Sequence, residues 1–176
     1  KAIESAKTPQ FYFSLKKYLK QLEANTTPFT PAVNLIFGLE VALDMLISEG
    51  MENVWARHAR LAEAGRRAMQ AINCKLFSQS PANTVTTVCV PEGIEGGKIV
   101  KTLREEFGII IAGGQDHLKG RIFRFATLGW YNEYDIITIV TAVEQTLARL
   151  GHKFEQGAGV AAAMKYFAET PEAVKA

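Results

Sequence analysis

The chain has 176 residues, of which 48% are hydrophobic and 22% are charged, a composition that favours a folded core over wholesale disorder. The formal net charge of +2 is too close to neutral to indicate nucleic acid or an anionic membrane as a partner. The sequence shows no signal peptide, no long apolar run and no CxxC or Cys/His grouping around Cys74 and Cys89. We therefore expect a cytoplasmic protein with reduced structural thiols and neither a membrane span nor a metal site.

The first part of the chain predicts helices without a sheet. Helix formers continue to about residue 23, and the two prolines of NTTPFTP (25–31) indicate a turn. We expect Thr30 to cap a long helix over 32–47, with Pro31 at its first helical position. This helix is apolar on most sides, which indicates burial in the interior or in a subunit interface.

A second helix follows over 51–72, after Gly50 ends the first one. Trp55, Ala59 and Ala62 recur in it at helical spacing, and we expect them on its inward face.

Beyond residue 73 the pattern changes to short strands and helices. Strands are predicted at 84–90, 109–114 and 121–127, and helices at 98–107 and 132–151, with a further short helix at 160–169. The short connection between the last two strands predicts an antiparallel hairpin. The order β-α-β-β-α therefore predicts an α+β unit with helices on one face of a small, mostly antiparallel sheet.

Arg124 is the residue that most needs an explanation, because it lies within the apolar strand 121–127. Strand alternation places Ile122, Arg124 and Ala126 on one face and Phe123 on the other. In one interpretation Arg124 lies on the outward face of an edge strand and is solvated. In the other it faces a pocket and clamps a carboxylate or phosphate with its planar guanidinium.

Other candidate sites are weaker. The hydroxyl of Thr30 beside a helix N-terminus could bind a phosphate, although simple helix capping explains the same residue. His58, His117 and His152 match no metal motif, and no arrangement of nucleophile and base is evident.

Several segments together resemble a known family. These are FYFSLKKYLK, TPFTPAVNLIFGLEVALDMLISEGMENVWARHARLAEAGRRAM, NTVTTVCVPEGI and LREEFGIIIAGGQDHLKGRIFRFATLGW. In this order they resemble the C-terminal half of class V aminotransferases, especially the alanine–glyoxylate and serine–glyoxylate group, which includes proteins named soluble hydrogenase small subunit. The resemblance covers roughly residues 1–150.

The resemblance implies a fold type I enzyme that uses pyridoxal 5'-phosphate at a homodimer interface. Residues 1–30 would be a remnant of the large domain, and 31–73 the interdomain helix and the helix after it. Residues 74–150 would form the small α+β C-terminal domain, and 151–176 an extension.

Site roles follow from the same resemblance. Arg124 would bind the α-carboxylate of the substrate, which favours the clamp over the solvated alternative. Thr30 would reach the cofactor phosphate of the neighbouring subunit. Relatives often carry a Tyr three residues before it, where this chain has Thr27, so Thr27 is the second candidate at the phosphate.

The family's Schiff-base lysine should fall before Lys1, and the lysines near the start of the chain lack its Ser/Gln-Lys setting. We therefore expect a C-terminal fragment that is inactive alone and binds no pyridoxal phosphate by itself. The full-length parent would move an amino group from serine or alanine to a 2-oxo acid such as glyoxylate. The alternative is a non-catalytic interaction module, a hydrogenase-associated small subunit that binds a partner through the apolar stripes of 11–48.

Overall fold

The chain divides into two compact units, Lys1–Glu49 and Gly50–Ala176. The computed structural model describes residues 2–171. The predicted domain edges after residues 30, 73 and 150 do not coincide with the edge between these units, and they stay a prediction about the whole protein.

The first unit is helical. It contains α1 (Ala2–Ser5), α2 (Leu15–Leu22) and α3 (Val33–Glu49). The prediction that Thr30 caps the long helix is wrong, because α3 begins three residues later at Val33. The N–H of Val33 donates to the carbonyl of Pro31 at 2.9 Å, a tight turn that takes Pro31 out of the helical ladder.

The apolar side chains of α3 are largely exposed. Leu35 is 75% exposed and Phe37 61%, and the only buried residue of this helix is the polar Glu49. Burial in the interior of residues 2–171 is therefore contradicted for this helix, whereas the alternative of a subunit interface stays a prediction.

The second unit carries the sheet. It contains α4 (Met51–Ala71), β1 (Val85–Cys89), α5 (Gly96–Phe107), β2 (Ala112–Gly113), a 3₁₀ turn (Asp116–Leu118), β3 (Ile122–Ala126), α6 (Glu133–Arg149) and α7 (Ala158–Glu169). The strands pair antiparallel in the order β1-β3-β2. The predicted α+β class and the predicted hairpin of β2 and β3 are both confirmed.

One face of the sheet packs into the core. Val88, Phe123 and Phe125 are buried there, together with residues of all four helices such as Leu61 and Val140. Trp55, which the helical spacing placed inward, is 62% exposed, so that prediction is wrong. The buried stripe of α4 begins instead at Val54 and is rich in Ala and Gly, small residues that let the helix approach the sheet.

The segment before β2 is less regular than predicted. A buried strand was expected over 109–114, but only two residues pair, and Ile110 is 84% exposed. Gly108 ends α5 in the left-handed region with φ of +67°, and the chain joins the sheet only at Ala112. This late pairing opens a gap beside the second half of β3.

The last helix belongs to the same core. Ala163 and Phe167 of α7 are buried in it. The carboxylate of Glu144, itself buried in α6, accepts backbone N–H bonds from Gly157, Gly159 and Val160 and so caps the start of α7. None of the helices in residues 2–171 combines the length and apolar character that a bilayer crossing needs.

Candidate functional site

Arg124 lies in the middle of the sheet. It belongs to β3, the central strand, opposite Thr87 of β1 and Ala112 of β2. The interpretation of an edge strand is therefore wrong. Alternation along one strand shows which residues share a face, but it does not show the order of the strands in the sheet. Burial confirms the predicted alternation from Phe123 to Ala126, since Phe123 and Phe125 are buried whereas Arg124 is half-buried and Ala126 exposed. Ile122, on the same face as Arg124, is buried as well.

The guanidinium of Arg124 is held at one corner. Its Nη2 donates to the carbonyl oxygen of Gly113 at 3.1 Å, across the hairpin. Its Nε is buried and has no hydrogen-bond partner. Leaving a buried donor unpaired costs about 1–3 kcal/mol, so this nitrogen marks a position where an acceptor would stabilise the protein.

The turn that supplies Gly113 depends on its neighbouring glycine. A Cβ on Gly114 would lie 2.0 Å from the carbonyl oxygen of Leu118. Any side chain at this position would push the hairpin open, so Gly114 keeps the acceptor for Arg124 in place.

Arg124 lines a cavity of about 700 Å³. The cavity occupies the gap left where 108–112 diverges from β3, and the start of α6 closes its side. Its lining is mostly apolar, from Ile109 to Ile111 and Ile139, with the polar side chains of Tyr131, Asp135 and Thr138 among them.

The only carboxylate in this lining is engaged elsewhere. Oδ2 of Asp135 accepts the N–H of Asn132 at 2.8 Å, while the side chain of Asn132 accepts the N–H of Asp135, which forms a capping box. No described residue forms an ion pair with Arg124. A half-buried guanidinium without an internal counter-ion can bind a carboxylate or phosphate that enters the cavity.

Sequence reasoning missed three polar residues of this cavity, Tyr131, Asp135 and Thr138, and also Asn132, which caps α6 beside it. Asn132 and Asp135 carry a readable signal, since this spacing before an apolar run is typical of a capping box. Tyr131 and Thr138 carry none, because their placement depends on how α6 packs beside the gap before β2.

The two candidate threonines belong to the first unit, whereas Arg124 belongs to the second. The hydroxyl of Thr27 donates to the carbonyl of Phe29 at 2.7 Å, so its proton is already used. Thr30 is exposed, and its side chain makes no hydrogen bond with any described residue. Stacking of Phe29 on Tyr12, with ring centroids 4.4 Å apart, fixes the segment between the two threonines.

The cysteines and histidines form no reactive centre in the described part of the chain. Burial raises the pKa of the Cys74 thiol to about 12, and the nearby Cys89 adds to the shift. Such a thiol is protonated and inert at neutral pH. His152 lies 3.8 Å from the sulfur of Cys74, but its Nε2 is 2.7 Å from the carbonyl of Ile72, a structural contact. No group of residues suited to hold a metal ion occurs within 2–171.

Comparison with known proteins supports the resemblance. The chain is 46% identical to the soluble hydrogenase small subunit of Synechococcus sp. over 166 residues, which cover 93% of this chain and 43% of that protein. It is 38% identical to the serine–glyoxylate aminotransferase of Arabidopsis thaliana, covering 94% of this chain and 43% of that protein. The chain thus spans less than half the length of these relatives.

The fold has a counterpart among solved structures. The ureidoglycine–glyoxylate aminotransferase of Bacillus subtilis superposes with a TM-score of 0.85 at 24% identity, covering 95% of this chain and 44% of that one. The mixed helices and small antiparallel sheet match the C-terminal domain of fold type I aminotransferases. The family model described as aminotransferase class-V matches residues 13–128, two thirds of the sequence. The chain therefore belongs to the class-V aminotransferase family.

Proposed function

We propose that the whole protein is a pyridoxal phosphate-dependent aminotransferase to which this chain contributes the clamp for the substrate carboxylate. It would move an amino group from a small amino acid such as serine or alanine to a 2-oxo acid such as glyoxylate. The observation that carries the proposal is Arg124, half-buried at a cavity, with its Nε buried and unpaired and no carboxylate of its own.

The donor set at Arg124 suits a carboxylate. In the planar guanidinium, Nη2 donates to the carbonyl oxygen of Gly113, whereas Nε has no hydrogen-bond partner. A carboxylate accepts bonds from two neighbouring guanidinium nitrogens at once, which fixes its orientation as well as its position. The cavity is of the size that small-molecule sites have, and its apolar walls strengthen the pairing by excluding water.

The first unit fits one part of the cofactor. Thr30 offers an exposed hydroxyl three residues before the N-terminus of α3, a setting that suits a phosphate. Thr27 does not fit as a donor, because its proton is bonded to Phe29. When bound, pyridoxal phosphate supplies the carbonyl that takes up the amino group and the electron sink that eases loss of the α-proton.

No lysine is among the described residues that line the cavity with Arg124. We propose that the lysine which joins the cofactor lies in the part of the protein that corresponds to the other half of the relatives. In this proposal Arg124 orients the substrate, and Thr30 anchors the cofactor phosphate of the neighbouring subunit. The proposal of small substrates is supported by relatives that are named serine–glyoxylate aminotransferases.

The test is steady-state kinetics of the whole enzyme with Arg124→Ala and, as matched control, Arg121→Ala. Arg121 is exposed, directly precedes β3 and does not line the cavity. Losing a bidentate pair costs about 2–5 kcal/mol, so Arg124→Ala should raise the amino-acid KM by about thirtyfold or more. Arg121→Ala should leave it near the wild-type value.

An unchanged KM in Arg124→Ala would contradict the proposed clamp. Absence of any transamination by the whole wild-type protein would favour the second candidate, a non-catalytic subunit. That candidate is supported by two relatives named as soluble hydrogenase subunits and by the exposed apolar side chains of α3.

A further inference from the structure

Arg57 is the residue outside the cavity whose contacts lead most directly to it. It lies in the first half of α4 and is half-buried. Its Nη1 donates to the carbonyl oxygens of Gly129 at 3.0 Å and Tyr131 at 2.9 Å. Its guanidinium carbon lies 5.7 Å from the ring centre of Trp130, within the range of a cation–π contact.

These contacts bracket one loop, the segment 128–131 that connects β3 to α6. The strand is fixed before the loop, where the hydroxyl of Thr127 donates to the carbonyl of Asn83 at 2.9 Å. The helix is fixed after it, where Asn132 caps α6. Between these two points Arg57 binds the backbone of the loop at residues 129 and 131.

The loop combines a glycine in the left-handed region with two exposed side chains. Gly129 lies in the left-handed region with φ of +82°, and a Cβ placed there would meet no atom within 4 Å. Leu128 is 52% exposed and Trp130 65%, so neither is anchored by burial. An exposed loop with few buried contacts is the kind of segment that opens easily.

The loop matters because of Tyr131. This residue is half-buried and lines the same cavity as Arg124. One hydrogen bond from Arg57 is accepted by the backbone carbonyl of Tyr131 itself. Loss of this bond would therefore let Tyr131 move within the cavity lining.

We propose that Arg57 is a positioning residue for the substrate site: it fixes the loop 128–131 and so sets the position of Tyr131 in the lining of the cavity that also contains Arg124. The effect on kinetics rests on the proposed function, whereas the effect on the loop does not. In this proposed role Arg57 contacts neither substrate nor cofactor, and it acts through the backbone of residues 129 and 131.

The experiment compares three variants of the whole enzyme. Arg57→Met removes the donors and the charge but keeps the length of the side chain, and Arg57→Lys keeps a charge and donors. Arg67→Met is the matched control, because it removes the same charge from the same helix, where Arg67 pairs with Glu63 at 2.8 Å and makes no contact with the loop.

The first readout is hydrogen exchange of the peptide covering 128–134. We expect faster exchange in Arg57→Met, and wild-type exchange in Arg67→Met. The second readout is kinetic: Arg57→Met should raise the amino-acid KM about tenfold with kcat changed less than about twofold, because misplacing a binding wall weakens binding. Arg57→Lys should recover most of the loss in both readouts.

The outcomes separate this proposal from the proposed function. Unchanged exchange in Arg57→Met, or equal KM increases in Arg57→Met and Arg67→Met, would overturn the role of Arg57. If Arg124→Ala leaves KM unchanged while Arg57→Met still loosens the loop, the clamp fails and the loop contact stands. If Arg124→Ala raises KM and Arg57→Met changes nothing, only the positioning role is lost.

Discussion

The two units of the chain use apolar residues in opposite ways. In the unit that begins at Gly50, Leu61, Phe123 and Val140 are completely buried in one cluster. In the first unit α3 is at least as apolar, yet Leu35 and Ile47 are about three quarters exposed. An apolar sequence pattern therefore indicates that a helix favours burial. Whether residues of the same chain bury it depends on tertiary packing.

A pair of Leu→Ala substitutions, one in each unit, gives the largest expected effect and tests this difference in burial. Leu61→Ala removes a fully buried side chain and should lower the free energy of unfolding by about 3 kcal/mol or more. Leu35→Ala removes a side chain that is 75% exposed and should lower it by less than about 1 kcal/mol. Urea unfolding of the chain measures both, and equal losses would show that α3 is buried in solution.

A second, smaller effect concerns the buried carboxylate that joins α7 to the core. Glu144→Gln keeps one accepting oxygen and replaces the other by an NH₂ group, which cannot accept. The variant therefore loses either the bond from Gly157 to Oε2 or the bonds from Gly159 and Val160 to Oε1. We expect a loss of about 1–3 kcal/mol and faster proteolysis within 151–171.

The control for this variant is Glu105→Gln, since Glu105 is exposed and lies 4.0 Å from Lys101 on the surface of α5. It should unfold like the wild type. Wild-type resistance to proteolysis in Glu144→Gln would mean that burial of Phe167 and Ala163 holds α7 without the cap.

The smallest predicted effect is a pH dependence of the free energy of unfolding, caused by burial of the Cys74 thiol. Burial raises the pKa of Cys74 from 9.0 to about 12. A group with a raised folded pKa contributes stability that is complete below its unfolded pKa and is lost as pH rises through the folded one. The free energy of unfolding should therefore fall between about pH 9 and 12, by about 1 kcal/mol at pH 10.

Urea unfolding at pH 7 and pH 10 checks this sign. Cys74→Ala should remove most of the fall, and Cys89→Ala, the matched change at the other cysteine, should keep it. A fall that is identical in wild type and Cys74→Ala would assign the pH dependence to other groups.

The sequence predicted the elements that repeat a local pattern. Helices ending at Gly108 and beginning at Asn132 were found close to their expected bounds, because caps and periodicity act within a few residues. The alternation in β3 also placed Arg124 on the face opposite Phe123 correctly.

The wrong predictions concern strand order and strand pairing, which depend on residues far apart in the chain. The position of β3 at the centre of the sheet requires pairing with β1, which lies some 35 residues earlier in the chain. Ile110 matches a buried strand by composition, but the chain joins the sheet only at Ala112. The bonds from Arg57 to residues 129 and 131 span more than 70 positions and leave no local signal.

The proposed role of this chain depends most on the pairing of Arg124 with the carboxylate of an amino-acid substrate. The direct measurement is the ratio of kcat/KM for serine to that for serinamide, which lacks the carboxylate, in the whole wild-type enzyme and in Arg124→Ala. We predict a ratio of about 100 or more in the wild type that falls to within about threefold of unity in the variant, because the clamp contributes about 2–5 kcal/mol to one substrate only. A ratio that stays the same in both enzymes would contradict the assignment of Arg124 as the carboxylate clamp.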